Sequence, residues 1–197
     1  MRILVLLVWL AIPVGVGLYH FGPGQAQVQL DLVAQHTRAA EDAAQNEQWA
    51  EAEQEYAAAL QSLPSERIAE QRSLTLEHAK VQMHNKKLST ANQTLETLVD
   101  ELVQDQQADP VVVKEAREAL ANSQYYMTWL MRLEGHSRDR WEPEIESARQ
   151  TFALLAEQAQ DAGQAEGAQK HQKDLESAIR LARMDLNDLQ GLPLPSQ

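Results

Sequence analysis

The sequence predicts an all-α protein, and three observations lead to this prediction. Ala, Gln, Glu and Leu are prominent in the 197-residue chain, and these residues favour helices over strands. From Asp31 onward, apolar residues recur at spacings of three and four, as they do along one face of a helix. The chain contains no cysteine, so neither disulfide bonds nor thiolate metal ligands constrain the fold.

The charge of the chain limits the classes of partner that it can bind. The formal net charge is −12 at pH 7, whereas binding to nucleic acid requires a clustered basic face. The sequence therefore predicts no nucleic-acid binding, and it argues equally against electrostatic docking on anionic lipid.

The N-terminal segment, residues 1–24, is predicted to be a signal-anchor made of one transmembrane helix and a turn. Residues 3–19 contain no charged side chain, and roughly 17 to 20 helical residues span about 26 to 30 Å, close to the thickness of a bilayer's hydrocarbon core. Arg2 precedes this segment, and the next Lys or Arg is Arg38. This asymmetry predicts a single pass through the inner membrane, with a cytoplasmic N-terminus and the bulk of the chain on the periplasmic or extracytoplasmic side.

The alternative for the N-terminal segment is a cleaved signal peptide. Gly24-Gln25-Ala26 provides small residues for cleavage before Gln27, although the apolar run is longer than the usual ~7–15 residues of such peptides. Cleavage would leave a secreted or periplasmic soluble protein. In either case residues 25–30 are predicted to form a linker after the turn at residues 22–25.

The region from Ala39 to Pro64 carries the most specific pattern in the chain. Helices are predicted from about Asp31 to Gln45 and from Trp49 to Leu63, with a short turn between them. Within this pair, small and aromatic residues lie at fixed positions, namely Ala40, Trp49, Ala52, Tyr56, Ala59 and Pro64. The spacing A-x3-Y…P resembles the second-helix signature of the tetratricopeptide (TPR) repeat family.

Two further helix pairs continue the pattern less regularly. In the second pair, Ala79 lies 39 residues after Ala40, against ~34 residues in ideal TPR arrays, and the matching positions of its second helix are Leu88, Ala91, Leu95 and Leu98. The third pair is predicted as a long helix over residues 111–133, which follows Asp109-Pro110, and a partner helix over residues 141–160. This partner helix carries Ile145, Ala148, Phe152 and Leu155 on the same spacing.

The resemblance to the TPR family implies antiparallel helix pairs stacked as a short solenoid over residues 31–190. A last amphipathic helix, from about Ala165 to Gln190, is predicted to cap this array, because it has one apolar stripe and one charged face. Residues 191–197 form a Pro-rich tail. The family also implies a general role in holding other proteins, without naming the partner.

A dense group of aromatic and basic residues in the third pair is a candidate partner-binding surface. Interfaces are enriched in Tyr, Trp and Arg, and these residue types cluster here as Tyr125, Tyr126, Trp129, Arg132, Arg138 and Arg140. Two structural interpretations remain open. The aromatic residues would equally suit a central helix packed on both sides, and the basic residues would suit the C-terminal end of a helix.

No motif in the sequence indicates an enzyme. The six histidines show no HExxH or other local ligand spacing, and the sequence has no nucleophile elbow, phosphate-binding glycine loop or dinucleotide fingerprint. His78 and His84 lie on different faces of a straight helix, so they could share a metal ion only through tertiary contact. We therefore predict no catalytic residue, no metal and no cofactor.

These features together predict a bacterial, membrane-anchored, TPR-like adaptor that holds another protein of the cell envelope. Two alternatives stay open. A self-associating helical bundle would make the protein a structural homo-oligomer, and a cleaved N-terminal segment would make it a secreted soluble binding protein.

Overall fold

The computed structural model describes Trp9 and residues 23–190. The all-α prediction is confirmed for this part of the chain, which contains helices and no strand. The described helices are α1 (Pro23–Gln45), α2 (Trp49–Ser62), α3 (Ile68–His84), α4 (Leu88–Gln104), α5 (Pro110–Leu133), α6 (Arg138–Asp161), α7 (Ala165–Arg183) and α8 (Leu186–Gln190).

Four of the turns between these helices share one backbone geometry. Each contains a residue with a left-handed φ between 58° and 76°, and these residues are Glu47, Lys86, Gly135 and Gly163. The residue after each one donates its N–H to the carbonyl five residues earlier, at 2.8–2.9 Å. This bond belongs to the Schellman motif, which ends a helix within a few residues. Two packed helices joined by so short a turn run antiparallel.

The described chain divides into two compact units between Leu74 and Thr75, inside α3, whereas residues 31–190 were predicted to form one domain. In the first unit, α1 packs against α2. Their shared core consists mainly of alanines, and Ala40, Ala52 and Ala59 are completely buried. Side chains this small let two helix axes approach closely, and the ring of Tyr56, 4% exposed, is buried with them.

The start of α1 differs from the prediction. The helix begins at Pro23 rather than near Asp31, and it includes residues 25–30, which were assigned to a linker. Proline is well tolerated in the first turn of a helix, because the N–H that it lacks would have no partner inside the helix there. The absence of an apolar pattern before Asp31 therefore did not mark a helix boundary.

In the second unit, α4 packs on α5, α5 on α6, and α6 on α7. One buried cluster joins the end of α3 to α4 and the first half of α5, and its largest members include Leu76, Leu95 and Leu98. Another cluster joins the second half of α5 to α6, α7 and α8, and it includes Trp129 and Phe152. Helix α5 contributes to both clusters, so it is the central element of this unit.

The residues predicted to pack the repeats are mostly in the interior. Trp49 and Pro64 are half-buried, and the other nine have at most 4% of their surface exposed: Ala40, Ala52, Tyr56, Ala59, Ala79, Ala91, Leu95, Ala148 and Phe152.

The end of α7 also differs from the prediction. A single helix was expected to continue to Gln190, but α7 ends at Arg183, Met184 is extended, and the short helix α8 follows. The Arg132 side chain explains the break, because its guanidinium donates hydrogen bonds to the backbone carbonyls of Leu181 and Met184. These carbonyls lie at the C-terminal end of α7, where they lack partners within the helix.

The predicted membrane anchor, residues 1–24, lies almost entirely outside the described residues. Among the helices that are described, none has both the length and the apolar character that crossing a bilayer requires.

Candidate functional site: a groove along helix α5

Helix α5 is positioned by local signals that the sequence analysis identified. Asp109 caps its N-terminus, with the Oδ1 atom accepting a hydrogen bond from the Val111 N–H at 2.9 Å, and Pro110 occupies the first position of the helix. Asp at the N-cap and Pro directly after it form a strong helix start. The resulting helix of 24 residues packs against α4, α6 and α8.

Two clefts lie along one side of α5. The first, which we call the α3–α5 cleft, has a volume of about 330 Å³ and is lined by Lys80, Met83, His84, Glu115, Glu118, Ala119, Asn122 and Tyr126. The second, the α5–α6 cleft, has a volume of about 490 Å³ and is lined by Pro110, Val111, Lys114, Glu115, Glu118, Gln158, Ala159, Ala162 and Gln164.

Glu115 and Glu118 line both clefts, so the two clefts form one continuous surface, which we call the α5 groove. Residues at spacings of three and four share a face of a helix, and Glu115, Glu118 and Asn122 follow this spacing. The groove therefore follows a single face of α5. Apolar side chains line part of each end, and two carboxylates lie between the ends. Polar side chains complete the lining, with Lys80, His84 and Asn122 at one end and Lys114, Gln158 and Gln164 at the other.

Ion pairs cross the groove from both sides. Lys80 Nζ of α3 lies 2.7 Å from Glu77 Oε1 and 3.3 Å from Glu115 Oε2, and Lys170 of α7 pairs with Glu118. The side chains in these pairs are between 21% and 61% exposed. Such pairs contribute about 0–1 kcal/mol each, so they orient the groove walls more than they stabilise them.

A buried polar cluster lies next to Glu118. The His171 side chain is 2% exposed, with Nε2 3.9 Å from Glu118 Oε2 and Nδ1 3.7 Å from Asp174 Oδ2. Within the described residues, Nδ1 has no hydrogen-bond partner. Burial raises the pKa of the Asp174 carboxyl, while the charge of Lys170 lowers it. The cluster therefore places polar groups of α7 behind the wall of the groove at Glu118.

The phenol ring of Tyr126 lines the α3–α5 cleft. Burial raises the pKa of the Tyr126 hydroxyl above its ordinary value of 10, and the Asp174 carboxylate adds to this effect. The phenol therefore keeps its proton at neutral pH, which leaves it able to donate a hydrogen bond.

The groove offers the features of a binding surface, namely apolar ends, a polar middle and walls from several helices. Within the described part of the chain, no set of three or more His, Asp or Glu side chains has the geometry to hold a metal ion. The arrangement can hold an apolar side chain at each end and a polar group between them.

The structure divides the predicted partner-binding residues between the surface and the core, although the Tyr125 ring lies near both Tyr126 and Trp129. Tyr125 and Tyr126 are half-buried, and their rings meet edge to face at 5.6 Å. Trp129 is 6% exposed and lies in the core shared by α5, α6 and α7. Only Tyr126 of the six residues lines the groove.

The predicted basic spot is also divided. Arg132 is 8% exposed, and its guanidinium lies 4.8 Å from the centre of the Trp141 ring. Arg138 and Arg140 are exposed at the start of α6, where Arg138 pairs with Glu142 at 2.5 Å. Trp129 and Arg132 therefore contribute to packing in this fold, as the structural interpretation of the cluster expects. Contact of the six residues with a partner stays a prediction. Arg132 is buried because its guanidinium donates hydrogen bonds to the carbonyls at the end of α7.

The groove residues Lys80, Met83, Glu115, Glu118 and Asn122 were not identified from the sequence. They come from different helices, and each is an ordinary residue for a helix surface. The available signal was the regular spacing of polar residues on α5, which indicates a face that is not buried against another helix.

A second polar cluster lies between α4, α5 and α6, and its carboxyl groups have no basic partner among the described residues. Ser123 Oγ donates to Asn92 Oδ1 at 2.6 Å, and Asn92 Nδ2 donates to Glu96 Oε1 at 2.9 Å. Two acceptors nearby, Gln124 Oε1 and Glu144 Oε2, are buried without a hydrogen-bond partner in the described part. Burial raises the pKa of the Glu144 carboxyl, and the charge of Glu96 raises it further, whereas a hydrogen bond with Gln124 lowers it.

The Glu144→Gln variant is expected to be more stable than the wild type at neutral pH. A carboxyl whose pKa is raised by folding binds a proton more tightly in the folded chain, so its contribution to stability is present below the ordinary value of 4.5 and is lost as the pH rises through the raised pKa. The amide mimics the protonated acid and should gain about 1 kcal/mol at pH 7. Urea unfolding between pH 4 and pH 8 measures this gain, which should disappear towards pH 4.

Glu146→Gln on the same helix is the matched control for this experiment. Hydrogen bonds from Arg149 and Gln150 lower the pKa of the exposed Glu146 carboxyl to about 2. Glu146→Gln should therefore slightly lower the free energy of unfolding at neutral pH, whereas Glu144→Gln raises it. A gain for Glu144→Gln that does not change with pH would contradict a raised pKa of the Glu144 carboxyl.

Comparison of the chain with protein-family models, with curated proteins and with solved structures found no match.

Proposed function

We propose that the protein is a membrane-anchored, TPR-like adaptor that binds a segment of another envelope protein in the α5 groove, on the extracytoplasmic side of the membrane. The observation that carries this proposal is the groove itself. A surface with apolar ends, half-buried aromatic and polar side chains, and walls from several helices suits the capture of a peptide segment.

The regularity of the helix pairs supports the TPR-like part of the proposal. Glu47 and Lys86, the left-handed residues of the α1–α2 and α3–α4 turns, are separated by the same 39 residues as the predicted repeat positions Ala40 and Ala79. The α3–α5 cleft lies between the first helices of two successive pairs. An array of stacked pairs would place these helices side by side along one surface.

The anchor is proposed from the uncharged run over residues 3–19 and from Arg2 before it. Membrane pelleting, followed by measurement of the intact mass, tests this part. Recovery of a soluble chain that begins near Gln27 would replace the anchor with a cleaved signal peptide.

An Asn122→Trp substitution tests binding in the groove. Asn122 is half-buried and lines the α3–α5 cleft, so an indole there should fill much of the space that a partner would occupy. In a crosslinking pull-down from native membranes, we expect the wild type to recover a stoichiometric partner and Asn122→Trp to lose at least nine-tenths of it.

The matched control is Gln93→Trp, at an exposed position of α4 that lines neither cleft. This control should recover the partner as well as the wild type does, and circular dichroism should show both variants to be folded. Recovery of the protein alone, crosslinked to itself in all three samples, would replace the adaptor with a self-associating bundle.

A further inference from the structure

The polar cluster between α4, α5 and α6 contains more acceptor atoms than donor atoms. The Ser123 hydroxyl donates to Asn92 Oδ1, and Asn92 Nδ2 donates to Glu96 Oε1. Two oxygen atoms, Gln124 Oε1 and Glu144 Oε2, are nevertheless buried without a hydrogen-bond partner in the described part of the chain. Because a buried acceptor without a partner is destabilising, a further group that binds oxygen atoms would stabilise this cluster.

The Gln124 side chain shows where such a group would bind. It is 5% exposed, and its amide forms a hydrogen bond with the Glu144 carboxyl, so its unpaired Oε1 atom lies beside that carboxyl. The negative charge of Glu96 also acts on Glu144. Among the described residues, neither of these two carboxylates forms an ion pair with Lys, Arg or His. Each of the three helices therefore contributes one side chain to an environment that is negative and rich in acceptors.

We infer that Glu96, Gln124 and Glu144 form a binding site for a divalent cation that takes oxygen ligands, and that Ca²⁺ is this cation. Calcium binds about six to eight oxygen atoms, which include Glu carboxylates, Gln amide oxygens and waters. The two glutamates supply the carboxylates, and Gln124 supplies the amide oxygen as the third protein ligand. Both glutamates are half-buried, so water can reach the cluster and complete the coordination.

The origin of the three ligands favours Ca²⁺ over Mg²⁺. Magnesium demands near-ideal octahedral geometry and loses its waters reluctantly, whereas calcium accepts irregular arrangements. Side chains from three separate helices suit the less demanding ion. Because the ligands come together only in the folded chain, Ca²⁺ would stabilise the folded second unit. None of the three residues lines the α5 groove, so this inference does not depend on the proposed function.

Isothermal titration of the full-length protein with CaCl₂ at pH 7 tests this site. The protein is held in nanodiscs of zwitterionic lipid, and empty nanodiscs provide the blank. We expect one Ca²⁺ to bind per chain with a Kd on the order of 0.1 mM, as in sites with few charged ligands, and Mg²⁺ to bind at least tenfold more weakly. Glu144→Gln removes a charged ligand and Gln124→Leu removes the amide oxygen, so each should weaken Ca²⁺ binding at least tenfold.

Glu146→Gln is the matched control, since it removes the same charge from an exposed carboxyl of the same helix. It should change the affinity for Ca²⁺ less than twofold. Circular dichroism checks that each variant is folded. In urea unfolding, Ca²⁺ at about ten times its Kd should raise the midpoint of the wild type and of Glu146→Gln, and it should leave the midpoint of Glu144→Gln unchanged.

Three results would overturn the inference. The absence of Ca²⁺ binding would remove the site. Binding that Glu144→Gln or Gln124→Leu leaves intact, or that Glu146→Gln weakens equally, would show attraction of the ion to the net charge of −12 rather than coordination by these three side chains. Binding of Mg²⁺ as tightly as Ca²⁺ would overturn the choice of cation.

Discussion

The Phe152→Ala variant is expected to lose about 3 to 5 kcal/mol of the free energy of unfolding, which is the usual cost of removing a buried aromatic ring. Phe152 is 2% exposed and lies in the core that joins α5, α6 and α7. Alanine at this position would leave a cavity in this core, and the surrounding structure closes such a cavity only in part.

Urea unfolding followed by circular dichroism measures this loss, and Leu154→Ala provides the comparison. Leu154 lies two residues further along the same helix and is 39% exposed, so its truncation should cost less than about 1 kcal/mol. Equal effects of the two substitutions would show that the second unit does not have the core described here.

The Arg132→Ala variant is expected to lose about 2 to 4 kcal/mol and to free α8 from the body of the second unit. The substitution leaves the carbonyls of Leu181 and Met184 without their donor, and each unpaired buried group costs about 1–3 kcal/mol. It also removes the guanidinium from the Trp141 ring, where a cation–π contact contributes about 0.5–2 kcal/mol. The C-terminal end of α7 can relax in the variant, and this relaxation offsets part of the stability lost with the hydrogen bonds and the cation–π contact.

Two further variants test whether Arg132 acts through its geometry. Arg132→Lys keeps the charge, but an ammonium group lacks the planar fork of donors, so it should recover less than half of the lost stability. Arg138→Ala removes an arginine that is exposed and paired at the surface, and it should leave stability nearly unchanged. Hydrogen exchange at residues 181–189 measures the release of α8, and protection equal to the wild type in Arg132→Ala would contradict the role given to Arg132.

Local signals in the sequence were sufficient to predict much of the fold. Asp109-Pro110 marked the start of α5, because capping depends on neighbouring residues alone. Helix α2 begins at Trp49 as predicted, without a side-chain cap. The all-α class followed from composition and from the apolar spacing along the chain.

The features that sequence reasoning missed depend on tertiary contacts. The end of α7 at Arg183 is set by Arg132, which lies about fifty residues earlier in the chain. The burial of Trp129 depends on the packing of α6 and α7 around α5. A pattern read along one helix does not show which of its faces another helix will cover.

The candidate site was harder to predict than the fold. Tyr126 was the only member of the groove among the proposed partner-binding residues, because aromatic and basic residues were taken as the signal for an interface. The groove instead combines residues from α3, α5 and α6 that are far apart in the sequence. Their proximity follows from the stacking of the helices.

Site-specific photo-crosslinking from residue 122 tests whether the α5 groove holds a protein partner. A photoreactive amino acid would replace Asn122 in the full-length protein in native membranes, and a second sample would carry it in place of Gln93. We expect one discrete crosslinked protein from position 122 and none from position 93. Crosslinks to the protein itself alone, or equal crosslinks from both positions, would show that the groove does not hold a partner.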